Sequence, residues 1–159
     1  MKPTFTRAAT LDDAVTVAER LRDQDRAEVL AACGVDPRYV LPMYIAEGRG
    51  VYASGLEGGP AEIVFGFDPI YGEDEIAVAW MLSTPVIYQH PVEFTVNARR
   101  HWDKAHERYH TLTNYIDERN TRHIKWLKWM GAEIVDRVER YGAGGLPFLL
   151  FKSYRPKCA

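Results

Sequence analysis

The sequence predicts a mixed α/β layer domain in which strands and helices do not alternate strictly. Three observations carry this reading. Helical spacing of apolar residues is confined to the first third of the chain and two later segments. Short β-rich apolar runs fill the middle and the C-terminal end, and turn or capping residues stand at the junctions. The 159 residues fit one domain over 1–159, long enough to bury roughly 68–70% of its unfolded surface without disulfides or metals. With 47% hydrophobic and 26% charged residues, collagen, coiled coil and disorder are excluded as classes.

A first strand precedes the helices. Thr10 followed by Leu11, Asp12 and Asp13 starts a helix: a capping hydroxyl, then acids where the helix dipole favours them. Leu11, Ala14, Val15, Ala18 and Leu21 keep its spacing. A second helix is expected over 27–33, stopped by Gly34, and a third from Asp36-Pro37 to near Gly48. Strands follow at 51–54, 61–67 and 75–82, the last two joined through Pro69 and Gly72 as a hairpin. Pro91 opens a helix to about Tyr109, with Val92, Val96, Arg99, Trp102 and Tyr109 along one side. A strand at 111–116 leads to a helix capped by Asn120 and closed by Gly131. Segments 133–141 and 147–154 form a C-terminal hairpin.

The net charge of −2 hides an asymmetry. Residues 1–80 carry 7 Lys/Arg against 14 Asp/Glu, net −7, whereas residues 81–159 carry 13 against 8, net +5. The acidic part is assigned to the N-terminal helices and the basic part to helices 91–109 and 120–131. The opening residues meet charges at Arg7, Asp12 and Asp13 and do not read as a signal peptide, and no apolar run is long enough to span a membrane. Cys33 and Cys158 read as free thiols. His106 and His110 share a helical spacing without a matching acid, so no metal site is expected.

The segment from Asn120 to Ala132 is the most specific in the chain. It reads as a capped amphipathic helix with Ile124, Leu127 and Trp126 or Met130 inward and Arg122, Lys125 and Lys128 outward. The outer face is either a solvated basic surface or, with the free N–H groups of the helix start, an anion site. Asp117 and Glu118 follow a strand and are candidate general bases, or loop acids that favour the next helix start. His123 is a further candidate base or a core contact. Nucleic-acid binding is the weaker use of Arg99, Arg100, Lys104 and Arg108, which lack regular aromatic interleaving.

This strand, the Asn120-to-Gly131 helix and the following strand resemble the last helix region of the GNAT N-acetyltransferases, and the element order is similar over nearly the whole chain. The resemblance implies an α+β fold with a mixed, mainly antiparallel sheet of six to seven strands, flanked by helices and splayed at its centre. It implies acetyl-CoA or another acyl-CoA as cofactor, its pantetheine arm on the backbone of Met81, Leu82 and Ser83. The loop 84–90, with Gln89 and His90, would face the pyrophosphate, and Asn120 and Lys125 would also contact the cofactor. An amine on a small molecule or protein would be the acceptor, with Asp117, Glu118 or His123 taking its proton.

Two departures stand out. The family's phosphate loop is glycine-rich, but the loop here runs Ser83-Thr-Pro-Val-Ile-Tyr-Gln-His-Pro91, with no glycine and two prolines lacking N–H groups. The position of the family's tyrosine acid holds Leu127. The pattern Thr111-Leu-Thr-Asn-Tyr115, then Asn120, His123, Leu127 and Gly131-Ala132, further resembles a family of short-tailed, T7-like phage proteins with this fold. That resemblance implies a phage-encoded protein in the cytoplasm of an infected bacterium or associated with the virion. It implies either acyl transfer with altered machinery or a non-catalytic partner of phage structural proteins. The two departures lean towards the second.

Overall fold

A computed structural model describes residues 1–157. The chain runs β1 (Thr4–Ala8), α1 (Leu11–Glu19), α2 (Asp23–Cys33), α3 (Pro37–Ala46), β2 (Val51–Leu56), β3 (Ile63–Ile70) and β4 (Glu73–Ser83). A short 3-10 turn (Pro85–Tyr88) leads to α4 (Pro91–Arg108), β5 (Thr111–Asp117), α5 (Thr121–Trp129), β6 (Glu133–Tyr141) and β7 (Leu146–Tyr154). The seven strands form one sheet in the order β1-β2-β3-β4-β5-β7-β6. Every pairing is antiparallel except β4 with β5.

The punctuation residues act as their chemistry dictates. The Thr10 hydroxyl accepts the Asp13 N–H while the Asp13 carboxylate accepts the Thr10 N–H, a reciprocal cap that satisfies two otherwise orphaned donors. Gly34 ends α2 at φ +71°. Three expectations change. Helix α2 starts at Asp23 rather than 27, because Arg22 and Asp25 point inward as a buried ion pair and interrupt the apolar spacing. The inward stripe of α4 runs through Phe94, Asn97, Trp102, Ala105, His106 and Tyr109, whereas Val92 is exposed. Asn97 belongs there because its amide donates to the hydroxyls of Thr6 and Ser54. The Asn120 side chain makes no capping bond; it donates to Glu28 instead.

Apolar cores cover both faces of the sheet. On one face α1 and α3 bury Ala14, Val17, Ala18 and Leu41 against Val51, Ala53, Val64 and Leu82. On the other, Trp102, Tyr109, Leu127 and Met130 of α4 and α5 pack on Ala77, Ala79, Leu112, Ile116 and Phe151. Each large apolar side chain buried in this way contributes about 1.5–3 kcal/mol.

The turn between β6 and β7 docks on the end of α2. The N–H groups of Ala143 and Gly144 donate to the carbonyls of Ala32 and Ala31, at 3.2 and 2.8 Å, satisfying acceptors that a helix end leaves open. Gly142 sits at φ +61°, and a Cβ there would lie within 2.4 Å of the Ala32 carbonyl oxygen. Gly142→Ala should therefore lower unfolding free energy by about 2 kcal/mol in a denaturant titration. A loss below about 0.5 kcal/mol, within the range of ordinary surface substitutions, would show that the docking contributes little.

The charge asymmetry is relocated. Residues 1–50 are nearly balanced, with 7 Lys/Arg against 8 Asp/Glu, and helix acids carry arginine partners in Arg7–Asp13, Arg22–Asp25 and Arg26–Asp36. The acidic surplus lies in residues 51–80, which hold six Asp/Glu and no Lys or Arg. Cys33 is an exposed free thiol; Cys158 lies outside the described residues. Among the described residues, no helix is long and apolar enough to cross a membrane, and no group of three His, Cys, Asp or Glu could hold a metal ion.

Candidate functional site

The site begins where the sheet parts. Strands β4 and β5 pair only at Ile76–Val78 with Thr111–Thr113, then diverge. Asn114 stands at the parting point. Its amide donates to the Ala79 carbonyl at 3.1 Å and its own carbonyl accepts the Tyr115 N–H at 2.7 Å, so a side chain satisfies one backbone group on each strand. A cavity of about 300 Å³ fills the split and reaches both faces of the sheet. Its walls are mostly apolar and aromatic, with a few polar groups converging on them.

Two of those polar groups are unusual. Glu28 of α2 accepts the Asp117 N–H and the Asn120 amide on Oε2, both at 3.2 Å. Burial pushes its carboxyl up to about 7; the Asn120 bond opposes this, and Asp25 adds to it. His123 of α5 has a buried Nδ1 with no hydrogen-bond partner, its ring 5.4 Å from Trp126. Burial lowers its pKa to about 4, so the imidazole is neutral at physiological pH.

The rim on the β4 side is already engaged. Ser83 donates its N–H to Asp25 Oδ2 at 2.9 Å, and its carbonyl accepts the Arg22 N–H at 3.0 Å. The Thr84 N–H points the other way, to the Glu62 carbonyl, so Ser83 faces the split and, by strand alternation, so does the Met81 backbone. Asp25 is held by a bidentate, nearly inaccessible pair with Arg22, at 2.6 and 3.0 Å. The loop beyond is closed on itself. The Val86 N–H donates to the Thr84 hydroxyl, the Gln89 N–H to the Val86 carbonyl, and Pro85 and Pro91 have none to give. Tyr88 bridges the gap to α5: its hydroxyl accepts from Arg22 at 3.1 Å, and the Arg122 guanidinium lies 4.3 Å from its ring centre.

A sheet split at its only parallel junction can be compared directly with known proteins. A GNAT-family acetyltransferase from Bacillus anthracis superposes with a TM-score of 0.75 at 12% identity, covering 99% of this chain and 98% of that one. The ribosomal-protein-S18-alanine N-acetyltransferase of Escherichia coli gives 0.70 at 10% identity, covering 99% and 97%. Vibrio cholerae spermidine N-acetyltransferase, solved with CoA and spermine, gives 0.71 at 11%, covering 96% and 95%. The chain has the GNAT fold. Residues 71–138, less than half of it, also match the family described as "Bacteriophage T7, probable scaffold protein Gp13". The search of curated proteins finds no match.

Within this GNAT fold, the sequence-predicted residues separate into groups. Met81, Leu82 and His123 line the cavity. Ser83 lies on its β4 edge, its backbone engaged as above. Asn120 holds Glu28 from the β5 side. Asp117 is buried against Arg119, which keeps its carboxyl below the usual range despite burial. Glu118 is likewise lowered by its hydrogen bond to Arg137 and faces outward. Gln89 closes the 3-10 turn, and His90 stands before α4 with Nδ1 4.0 Å from Glu93. Lys125 is exposed with no ion-pair partner among the described residues. The sequence reading missed Arg22, Asp25, Glu28 and Asn114. A signal existed for the first three: charges at 22, 25 and 28 repeat every three residues, the spacing of one helix ridge.

Proposed function

We propose that this protein is a phage morphogenesis factor that uses the GNAT fold as a binding scaffold, its cofactor groove closed by its own side chains. The state of Ser83 carries the reading. Of the backbone groups on which a pantetheine arm would dock, both of those on Ser83 are already bonded, to Asp25 and Arg22. The residues present do not fit the pyrophosphate of CoA: the loop N–H groups of Val86 and Gln89 are consumed internally, and the two prolines supply none. Opening the groove there would break both Ser83 backbone bonds to α2 and its N-cap Arg22, and leaving a buried donor or acceptor unsatisfied costs about 1–3 kcal/mol per group. The match of residues 71–138 to a probable scaffold protein supports phage structural proteins as partners, and with them a place in the infected cell or the virion.

The reading expects no change in melting temperature at millimolar acetyl-CoA, and defective particle assembly when the coding region is deleted from its phage. A ligand at a hundredfold excess over Kd stabilises by about 2.7 kcal/mol, so binding would be easy to see.

One observation favours acyl transfer to an amine as a second reading. Glu28 faces an apolar cavity with its carboxyl near neutrality, where a general base works best. In that case Met81, Ser83, Gln89, His90, Asn120 and Lys125 would surround the acyl donor, and Glu28, more than the arginine-paired Asp117 and Glu118, would take the amine proton. Acetyl-CoA turnover abolished by Glu28→Gln would replace the scaffold reading with this one.

A further inference from the structure

The half of the cavity beneath α2 and α3 has a composition of its own. Val78 lies opposite Thr113, so Trp80 and Tyr115 face each other across the split on the same side of the sheet. Tyr44 meets the Trp80 ring edge-on at 5.4 Å, and Tyr141 stacks on Tyr115 at 4.5 Å and against Phe148 at 4.6 Å. Glu28 roofs this box; its Oε2 is occupied, and among the described residues Oε1 forms no hydrogen bond. Among the described residues, the cavity wall holds no lysine and one arginine, Arg49.

Arg49 shows what this wall accepts. Its guanidinium lies 4.1 Å from the centre of the Tyr44 ring and pairs with Asp68 at 3.4 Å. Asp68 is in turn held by the Trp80 indole N–H at 2.9 Å. At the outer rim the chain thus places its own organic cation against an aromatic face and a carboxylate. The inner box repeats that chemistry, with aromatic faces and the Glu28 carboxylate, and has no internal cation to fill it. The acidic surplus of residues 51–80 biases the surrounding field the same way.

We propose that this aromatic box is a binding site for an organic cation, an alkylated ammonium group seated between Trp80 and the Tyr115–Tyr141 stack with Glu28 as its counter-ion. Ring faces attract such cations electrostatically, most strongly where water is excluded. Burial holds the Tyr44 and Tyr141 phenols above their usual range, so the rings stay neutral. The site shares Glu28 and its cavity with the amine of the second reading but requires no acyl donor, so binding measured without CoA tests it separately from acyl transfer.

The probe is choline, titrated by calorimetry against 3,3-dimethylbutan-1-ol, its uncharged isostere, with no CoA present. Choline should bind about tenfold or more tightly than the isostere, a gap of about 1.4 kcal/mol. Tyr115→Phe should retain binding, and Tyr115→Leu should weaken it about tenfold. Choline affinity should rise about tenfold from pH 6 to pH 8 as Glu28 ionises, and Glu28→Gln should both weaken binding and flatten that dependence. The groups facing Glu28 are Asp25 on its own helix, Asp117 at the end of β5, Arg119 after it, Asn120 before α5, and Tyr141 on β6. Equal affinity for the two probes, or no binding of choline at millimolar concentration, would overturn the proposal. So would unchanged binding in folded Glu28→Gln.

Discussion

Arg22→Ala should lower the unfolding free energy by about 3–5 kcal/mol, the largest effect expected of any single side chain here. The pair it forms with Asp25 is almost wholly inaccessible, with side chains 4% and 2% exposed. Removing the guanidinium leaves a buried carboxylate whose remaining partners are the N–H and hydroxyl of Ser83, and removes a donor from the Tyr88 hydroxyl. The double variant Arg22→Ala with Asp25→Asn separates the causes. Asparagine still offers a carbonyl to the Ser83 N–H but carries no charge, so the double variant should be more stable than Arg22→Ala alone. If the two substitutions simply add in denaturant titrations, the cost lies in lost packing and the uncompensated charge is not the reason.

Stability against pH should show two opposed slopes that nearly cancel. Glu28 has its carboxyl raised from 4.5 to about 7 in the folded state. The native protein therefore holds this proton where the unfolded chain has lost it, and stability falls as pH rises from 4.5 to 7. His123 is lowered from 6.5 to about 4. The unfolded chain binds that proton first, so stability falls as pH drops from 6.5 to 4. At about 1.4 kcal/mol per unit, each slope amounts to roughly 3 kcal/mol over its window. Between pH 4.5 and 6.5 the wild type should be nearly flat as far as these two groups are concerned. Glu28→Gln should leave stability rising with pH over 4–6.5, and His123→Gln should leave it falling over 4.5–7. Parallel profiles for the two variants would show that these groups are not buried as described.

The elements were legible where one short segment decides them. Thr10 and Asp13 fix the start of α1 within four residues, and Gly34 and Gly131 stop α2 and α5 at positive φ. The β4–β5 split was legible only through resemblance to a family, since nothing in either strand's apolar pattern announces where pairing ends. The determinant is Asn114, a polar residue whose effect depends on the carbonyl of Ala79, 35 residues earlier. The candidate site was harder still. Glu28 meets Asp117 and Asn120 across 89 and 92 residues, and Arg22 meets Tyr88 across 66. Their inward-facing charges also broke the periodicity from which α2 was read, which is why its first turn was missed. Asp117 and Glu118 drew notice for their place after a strand, but sequence could not reveal their arginine partners.

Helix α2 can also be viewed mechanically. The sheet is two half-sheets, β1–β4 and β5–β7, whose shared seam is three residue pairs long. Helix α2 grips both. At its start, Arg22 and Asp25 hold β4 through Ser83; in its middle, Glu28 holds the end of β5; at its end, Ala31 and Ala32 receive the β6–β7 turn. A strap fastened at three points across a short seam sets how far the halves can gape. The width of the cavity is therefore governed by a helix beside it as much as by the strands that form it.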